Sequence, residues 1–274
     1  MPLIAETLHR HARQLGSRLE AELVTAHGIG KSREWLYAHG NEALEEPLID
    51  QVSALVHRRL AGEPIAYILG RREFYGRDFT VTPAVLIPRP ETELVVELTL
   101  DKLSADAQPL IDVGTGSGCI ALTLAAERPA WSVTAVDLSA DALAVCAENA
   151  RRLGLERVRM LESDLLSNVS GERFAAIVSN PPYVAAGDPH LDQGDLRFEP
   201  AGALSAGASG LILIERLIEQ AQTVLEARGW LVLEHGHDQG PAVRELMAAA
   251  GMENIESHRD LASIERVTLA RQPD

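Results

Sequence analysis

Alternating strand and helix patterns from residue 109 to the C-terminus constrain the fold more than any other feature of the chain. Short apolar stretches rich in β-branched residues are separated by longer stretches with helical periodicity. Strands are predicted at 110–113, 132–137, 158–162, 174–179, 229–235, 254–258 and 264–270, and helices at 118–128, 139–153, 210–227 and 240–250. Repeated β-α units imply a Rossmann-like α/β fold with a seven-stranded, mostly parallel sheet. The short link at 259–263 predicts an antiparallel last strand.

The first 72 residues follow a different pattern, with helical periodicity and no convincing strand. Helices are predicted at 3–15, 18–27, 31–38 and 47–61, and they are joined by turns that contain glycine. We therefore expect a small helical bundle. Residues 73–90 combine strand-favouring side chains with a turn at Gly76, which predicts a β-hairpin. The predicted domains are thus a helical domain at 1–72, a hairpin connector at 73–90 and an α/β domain at 91–274.

Composition narrows the classes of function. The net charge of −15 and the pI near 5.0 disfavour broad binding to nucleic acid, although they are compatible with a local basic strip. Such a strip would consist of Arg58, Arg59, Arg71, Arg72 and Arg77. No apolar run is long enough to span a membrane and the N-terminus lacks a signal-peptide pattern, so a cytoplasmic location is expected. Cys119 and Cys146 predict buried thiols, and the nine histidines show no metal-binding spacing, so no metal is expected.

A glycine-rich loop joins the first strand of the predicted sheet to the following helix. It runs from Asp112 to Gly118 as DVGTGSG, and its glycines allow a tight turn and close approach of a ligand to the helix start. The GxGxG spacing differs from the GxGxxG of dinucleotide-binding enzymes. The loop predicts a small-molecule site, with a structural turn as the alternative. Its candidate contacts are Gly114, Thr115, Gly116, Ser117 and Gly118.

Acidic residues follow the next two strands. Asp137 ends the second strand, where a carboxylate can accept hydrogen bonds from both ribose hydroxyls. The alternative role for Asp137 is to cap the next helix, which Ser139 fills better. Asp164 follows the third strand, where it could meet an adenine amino group while Leu165 packs on the ring; an ordinary turn is the alternative. Together with the glycine loop, these features resemble the class I methyltransferase fold, which binds S-adenosylmethionine across the carboxyl ends of the strands.

The fourth strand runs directly into Asn180-Pro181-Pro182-Tyr183. Its two prolines fix the backbone and remove two N–H donors. The Asn180 side-chain oxygen and the Pro181 carbonyl can then each accept one hydrogen of a single NH2 group. Tyr183 can lie against that planar group and shield it from water. The motif predicts methylation of a planar NH2 group, and adenine N6, guanine N2 and a glutamine side-chain amide all stay open. No general base is required, because alignment and polarisation can supply most of the rate.

Motifs along nearly the whole chain resemble one family, the bacterial release factor glutamine methyltransferases. The matching segments are Glu63–Gly70, Arg72–Gly76, Leu86–Glu93, Ser179–Tyr183, Gly194–Pro200, Leu233–Gly236 and Glu265–Leu269. The resemblance implies methyl transfer from S-adenosylmethionine to the side-chain N5 of the glutamine in the Gly-Gly-Gln motif of class 1 peptide chain release factors, with S-adenosylhomocysteine as the other product.

The resemblance also implies a role for individual residues. Gly114–Gly118, Asp137, Leu165 and Asn180 correspond to cofactor contacts, and Asn180–Tyr183 to the contacts with the glutamine. Leu165 stands where the family often carries an aromatic residue. Arg89–Thr92 would either close the cofactor pocket or begin a helix.

The N-terminal helices would recognise the body of the release factor, and no direct nucleic-acid or membrane partner is expected. Two alternatives stay open: an amino-methyltransferase acting on rRNA or DNA, and a protein that binds the cofactor without turnover. The intact Asn180–Tyr183 motif argues against the second alternative, because binding alone needs no paired acceptors.

Overall fold

The computed structural model of the protein describes residues 1–189, 194–204, 207 and 209–274. The chain divides into two compact units. One unit contains Met1–Arg71 together with residues 194–198, and the other contains the remaining described residues. No helix among the described residues is both long and apolar enough to cross a membrane.

The N-terminal unit is built from helices, as predicted. Their bounds are α1 (Ile4–Leu15), α2 (Arg18–Gly28), α3 (Arg33–Ala38), α4 (Glu46–Leu60) and α5 (Ile65–Leu69). Ser32 accepts a hydrogen bond from the Trp35 N–H, so α3 begins two residues later than the predicted 31. Helix α5 was not predicted from the sequence, because Pro64 follows Gly62 in a segment typical of a turn, whereas in the structure Pro64 directly precedes the first turn of this short helix.

The predicted basic strip is largely neutralised by ion pairs. Arg58 pairs with Glu63, and Arg59 pairs with both Glu20 and Asp195 inside the N-terminal unit. In the other unit, Arg77 pairs with Glu127 at 2.6 Å. These arginines therefore do not present a run of unpaired positive charge to a phosphate backbone.

The predicted hairpin is present as β1 (Arg71–Phe74) and β2 (Arg77–Thr80). Tyr75 and Gly76 form its turn, both with positive φ. Phe74 and Phe79 are buried and meet edge to face, with ring centroids 6.1 Å apart. This aromatic contact anchors the hairpin to the core of the α/β unit.

A seven-stranded sheet forms the centre of the α/β unit, and its strand order is β5-β4-β3-β6-β7-β9-β8. The strands are β3 (Pro109–Val113), β4 (Ser132–Asp137), β5 (Arg159–Glu162), β6 (Phe174–Ser179), β7 (Leu225–Glu234), β8 (Glu253–Arg259) and β9 (Glu265–Arg271). Strands β3 to β7 are parallel, whereas β9 is antiparallel to both β7 and β8. The predicted fold class, including the antiparallel last strand, is confirmed.

Helices cover both faces of this sheet. They are α6 (Glu93–Lys102), α7 (Cys119–Glu127), α8 (Ala140–Leu153), α9 (Ala201–Leu204), α10 (Ile212–Val224) and α11 (Gly240–Ala249). One buried cluster includes side chains of α6, α7 and α8, and a second includes side chains of α10 and α11. The predicted helix at 210–227 was too long, because β7 begins at Leu225, which pairs with Phe174 of β6.

The order of the strands reverses between β3 and β6. After β3 the chain continues to β4 and β5 on one side, and β6 returns on the other side of β3. Ligands of such sheets bind in the crevice outside the carboxyl ends of the strands at this switch point. The glycine loop follows β3 and the Asn180 motif follows β6, so the topology brings the two predicted motifs to the same crevice.

Candidate active site

A cavity of about 390 Å³ lies at the carboxyl ends of β3, β4, β5 and β6. Its size falls within the range of about 300–1,000 Å³ that is usual for small-molecule sites. The predicted site residues that line it are Gly114, Thr115, Gly116, Ser117, Asp137, Asp164, Leu165, Asn180 and Pro182. Gly118, Pro181 and Tyr183 are not part of the lining. The cavity therefore unites most of the residues that the sequence analysis took from four separate segments.

The glycine loop is held tightly against the end of β4. The Gly114 and Thr115 N–H groups both donate to the Val136 carbonyl, at 2.9 and 3.0 Å. Gly118 has a φ of +82°, and a Cβ there would lie 2.5 Å from the Cys146 Sγ. Glycine is therefore required at this position both by the backbone conformation and by the packing of α8 against the loop.

Asp112 fixes the glycine loop to the start of α7, a role that was not predicted from the sequence. Its Oδ2 accepts hydrogen bonds from the Thr115 hydroxyl at 2.7 Å and from the Ala121 N–H at 3.2 Å. Complete burial raises the pKa of Asp112 to about 7, and the nearby charge of Asp137 adds to the rise. Its position as first residue of the loop motif was the available signal. The buried Asp112 Oδ1 and Ser117 Oγ have no hydrogen-bond partner within the described part of the chain.

Asp137 connects the loop to the start of α8. Its Oδ2 accepts from the Gly116 N–H and its Oδ1 from the Ser139 N–H, both at 2.9 Å. Ser139 itself caps α8 by accepting from the Ala142 N–H, so the helix cap does not depend on Asp137. A carboxylate has about four lone-pair sites, and Asp137 therefore keeps acceptor capacity for a ligand on the cavity side.

Asp164 and Leu165 form the cavity wall after β5. The Asp164 carboxylate is half exposed and pairs with Arg216 at 2.8 Å. Leu165 has a φ of +52°, a left-handed conformation that is uncommon for a side chain of this kind. Such conformations are concentrated at functional sites, because the surrounding structure must hold them in place. Here the Leu166 N–H donates to the Gln220 side chain at 2.9 Å and fixes the turn.

Thr92 orients the Asn180 side chain. The Asn180 Nδ2 donates to the Thr92 hydroxyl at 3.1 Å, and both residues line the cavity. The Ser179 hydroxyl donates to the Val113 carbonyl at 2.6 Å, which ties the end of β6 to β3. Because Nδ2 is engaged, Oδ1 is the atom of Asn180 that stays available as an acceptor. The sequence analysis named Thr92 only as part of the Arg89–Thr92 segment.

Tyr183 is held through its hydroxyl and through its backbone carbonyl, by residues at the end of β7 and in the turn that follows it. Its hydroxyl lies 3.4 Å from the Glu234 Oε1, and its carbonyl accepts from the Gln239 Nε2 at 3.0 Å. Burial raises the pKa of the Tyr183 phenol, and the negative charge of Glu234 raises it further, so Tyr183 stays protonated at neutral pH.

Glu234 is a buried carboxyl behind the site that sequence reasoning missed. It is 1% exposed, and its Oε2 has no hydrogen-bond partner in the described chain. Burial raises its pKa to about 7, against the opposing effects of the Thr92 hydroxyl and the Arg266 charge, while Glu91 adds to the rise.

The segment before α6 both lines the cavity and begins a helix. Pro90–Thr92 form a 3-10 turn directly before α6, whereas Arg89 belongs to the cavity wall. Glu199 is buried, accepts from the Ile87 N–H at 3.0 Å and forms an ion pair with Arg89. This buried acid was not singled out from the sequence, and it fixes the wall of the cavity.

The two cysteines are buried thiols, as predicted. Burial raises the pKa of both Cys119 and Cys146 to about 12, so neither is a thiolate at neutral pH. Across residues 1–189, 194–204, 207 and 209–274, no group of three or more His, Cys, Asp and Glu side chains is arranged to hold a metal ion.

Comparison with known proteins identifies the family. Residues 4–70 match the PrmC N-terminal domain and residues 91–202 match the methyltransferase small domain. The release factor glutamine methyltransferase of Escherichia coli is 45% identical over 93% of this chain and 92% of its own length. That of Burkholderia pseudomallei is 48% identical over the same shares. A methyltransferase from Pyrococcus furiosus shares the fold, with a TM-score of 0.56 at 18% identity over 81% of this chain and 100% of its own. The chain belongs to the release factor glutamine methyltransferase family.

Proposed function

We propose that the protein transfers a methyl group from S-adenosylmethionine to the side-chain amide nitrogen of the glutamine in the Gly-Gly-Gln motif of a class 1 peptide chain release factor. The observation that carries the proposal is the orientation of Asn180. Its Nδ2 donates to Thr92, so its Oδ1 is available to accept a hydrogen from an NH2 group in the cavity. The relatives that are 45% and 48% identical over most of both chains are release factor glutamine methyltransferases, which supports a glutamine side chain as the source of that NH2 group.

The cavity residues fit S-adenosylmethionine, which supplies an electrophilic methyl group on its sulfonium. We propose that Gly114–Gly118 contact its amino-acid portion, because the glycines of the loop let the backbone approach a ligand closely at the start of α7. Asp137 keeps lone pairs for the two ribose hydroxyls, since its present partners use one position on each oxygen. Asp164 and Leu165 would meet the adenine, and Asn180 would contribute from the opposite wall.

An amide nitrogen is a poor nucleophile because its lone pair is delocalised into the carbonyl. Acceptance of its two hydrogens by the Asn180 Oδ1 and the Pro181 carbonyl would hold the nitrogen in place and keep electron density on it. Pro181 and Pro182 contribute no N–H that could compete for these acceptors. The protonated Tyr183 shields the planar amide from water and does not act as a base. The amide proton leaves to water after the methyl group has been transferred.

The helical domain is proposed to recognise the body of the release factor, with 1–72 as that domain, 73–90 as the connector and 91–274 as the methyltransferase domain. The N-terminal helices form a compact unit of their own and contain none of the candidate catalytic residues. The net charge of −15 favours a protein substrate over a nucleic acid. A cytoplasmic location would follow from a substrate that acts at the ribosome.

Labelled S-adenosylmethionine tests the proposal directly. The protein is incubated with purified release factor, either wild type or with the Gly-Gly-Gln glutamine changed to alanine, and separately with rRNA and DNA. Label on the wild-type release factor alone is the expected result. Label on the alanine variant or on nucleic acid would overturn the substrate assignment, and cofactor binding without any transfer would favour a protein that only binds the cofactor.

A further inference from the structure

The turn after β7 holds the backbone of the Asn180–Tyr183 motif through one side chain. The Gln239 Oε1 accepts from the Gly236 N–H at 2.9 Å, while its Nε2 donates to the Tyr183 carbonyl at 3.0 Å. Gln239 therefore bridges two loops that follow neighbouring strands, β6 and β7. No other side chain donates to this carbonyl among the hydrogen bonds of the described residues.

Gly210 covers the contact between Gln239 and Tyr183. A Cβ at Gly210 would lie 2.4 Å from the backbone carbonyl oxygen of Tyr183 and 2.9 Å from the Gln239 Nε2. Gly210 is buried and has a φ of +71°, so glycine is suited to this position on both counts. The hydrogen bond is thus covered by the backbone of a third segment, which strengthens it by excluding water.

A series of hydrogen bonds, in which each group donates to the next, fixes the turn that carries Gln239. Its members, in donor-to-acceptor order, are Arg244, Ser257, Thr268, His235 and the Gly236 carbonyl. The Arg244 guanidinium can only donate to the Ser257 hydroxyl, at 2.6 Å, and the Gly236 carbonyl can only accept from the His235 Nδ1, at 2.9 Å. These two ends set the direction of every bond between them. Burial lowers the pKa of His235, which keeps its ring neutral and its Nε2 an acceptor.

The motif itself needs such external support. Pro181 and Pro182 have no N–H, so the motif cannot fix its own path with backbone donors at these positions. The next backbone hydrogen bond along the chain is donated by Val184 to the Leu204 carbonyl, at 3.0 Å. Between Asn180 and Val184, the Tyr183 carbonyl is therefore the point at which the rest of the α/β unit holds the backbone of the motif.

We propose that Gln239 is a positioning residue for methyl transfer, which sets the path of the Asn180–Tyr183 backbone through the Tyr183 carbonyl. The proposal rests on the proposed function and deepens it. Gln239 touches neither substrate nor cofactor in this role, and it acts by keeping the paired acceptors of the motif in register with the amide. A displacement of reacting groups by about 1 Å can cost about 100-fold in rate, so the loss of this contact affects kcat more than binding.

The substitution Gln239→Glu separates positioning from a general structural role. The introduced carboxylate keeps an acceptor for the Gly236 N–H, but it places an oxygen without hydrogen against the Tyr183 carbonyl. We expect kcat to fall about 10- to 100-fold at pH 8, with little change in the Kd for S-adenosylhomocysteine. As the pH falls, the carboxyl gains a proton that it can donate to the Tyr183 carbonyl, so the ratio of variant to wild-type kcat rises.

Two further variants complete the test. Gln222→Glu makes the same change at an exposed position on α10. The ratio of its kcat to the wild-type kcat should stay near one at every pH. Gln239→Met removes both hydrogen bonds at similar side-chain length, so it should lose kcat without recovery at low pH. The titratable and charged groups around Gln239 are His237 and Asp238 on its own turn, Glu234 and His235 just before that turn, Arg244 on α11, Glu265 on β9 and the Tyr183 phenol. Because all variants share these groups, their contribution cancels in the ratio.

The outcomes distinguish this inference from the proposed function. If the wild-type protein does not methylate the release factor, both fall. If the wild-type protein does so and Gln239→Glu keeps normal kcat, or shows a reduced ratio that does not change with pH, the positioning role is wrong. If Gln239→Glu does not fold, as judged by its cofactor-product binding and thermal midpoint, normal kcat in Gln239→Met would overturn the proposal in its place.

Discussion

Thr92 accepts a hydrogen bond from the Asn180 side chain at 3.1 Å, although the two residues lie in segments that are 88 positions apart. Thr92 ends the 3-10 turn before α6, and Asn180 is the first residue after β6. Because the Nδ2 of Asn180 donates to Thr92, the Oδ1 is the side-chain atom that points away from Thr92. It therefore converts a motif that is compatible with any planar NH2 group into a site with a defined acceptor.

Thr92→Val removes this contact with little change in side-chain shape. The Asn180 amide then loses the acceptor that holds it, and a lost hydrogen bond of about 0.5–1.5 kcal/mol corresponds to roughly a 2- to 10-fold fall in kcat. The Kd for S-adenosylhomocysteine, measured by calorimetry, should change little. Thr223→Val, at an exposed position on α10, is the matched control and should leave both quantities unchanged. Equal losses of binding and turnover in Thr92→Val would contradict the orienting role.

Asp137→Asn should weaken cofactor binding. The substitution removes one of the two acceptor oxygens that hold the Gly116 and Ser139 N–H groups, and it removes the charge offered to the ribose hydroxyls. We expect the Kd for S-adenosylhomocysteine to rise about 10- to 100-fold, since hydrogen bonds to charged groups contribute about 1.5–3 kcal/mol. Asp141→Asn, at an exposed position in the first turn of α8, serves as the control. An unchanged Kd in Asp137→Asn would refute the ribose assignment.

Gly118→Ala should destabilise the protein more than Gly114→Ala does. Both glycines have positive φ, but a Cβ at Gly118 would meet the Cys146 Sγ at 2.5 Å, whereas a Cβ at Gly114 would meet nothing within 4 Å. Overpacking costs about 1–3 kcal/mol beyond the strain of the left-handed backbone, which both variants share. Urea unfolding measures the difference.

The Cys146→Ala background provides the internal control for Gly118. Removal of the thiol opens space for the added methyl group, so Gly118→Ala should cost less there than in the wild-type background. If the two costs are equal, the clash with Cys146 does not explain why the loop requires glycine at this position.

Glu234 should make the protein less stable as the pH rises. Its pKa is about 7 in the folded chain against an ordinary value of 4.5. Between these two pH values the folded state binds a proton that the unfolded state has lost, so stability falls through that window as the pH increases. Glu234→Gln removes the effect. The variant should gain on the order of 3 kcal/mol relative to wild type at pH 8 and little at pH 4, since one pKa unit corresponds to about 1.4 kcal/mol.

Thermal unfolding at pH 4 and pH 8 measures this difference. Glu245→Gln, at an exposed position on α11, changes the same charge and should follow the wild-type dependence on pH. Asp112, whose pKa burial also raises to about 7, contributes with the same sign in every variant, so some dependence on pH remains in Glu234→Gln. A larger stabilisation at pH 4 than at pH 8 would show that the sign is wrong.

Local sequence patterns were sufficient to predict most of the fold. Strands β4 and β6 begin and end where they were predicted, because each has a centre of small apolar or β-branched side chains and ends in a polar residue. The segment at 225–227 was assigned to a helix, since its side chains suit one. Pairing of β7 with β6 determined the outcome instead. Short elements such as α5 were not predicted, because a helix of five residues contains too few positions to show a helical periodicity.

The same distinction applies to the site. The glycine loop, Asp137 and Asn180 could be predicted, because each belongs to a motif whose chemistry depends on residues adjacent in sequence. Thr92, Glu234 and Gln239 could not, since their roles come from contacts across 88, 51 and 56 positions. Contacts of this kind depend on the order of the strands in the sheet, which places the turn after β7 beside the motif after β6.

Mass spectrometry of the methylated release factor tests the central claim most directly. The release factor is incubated with S-adenosylmethionine and either the wild-type protein or Asn180→Ala, and the position of the added methyl group is then mapped by fragmentation. The account predicts one methyl group on the side-chain amide of the Gly-Gly-Gln glutamine with the wild-type protein, and a loss of about 100-fold or more in kcat with Asn180→Ala. A methyl group on another residue, or near-normal turnover by Asn180→Ala, would contradict it.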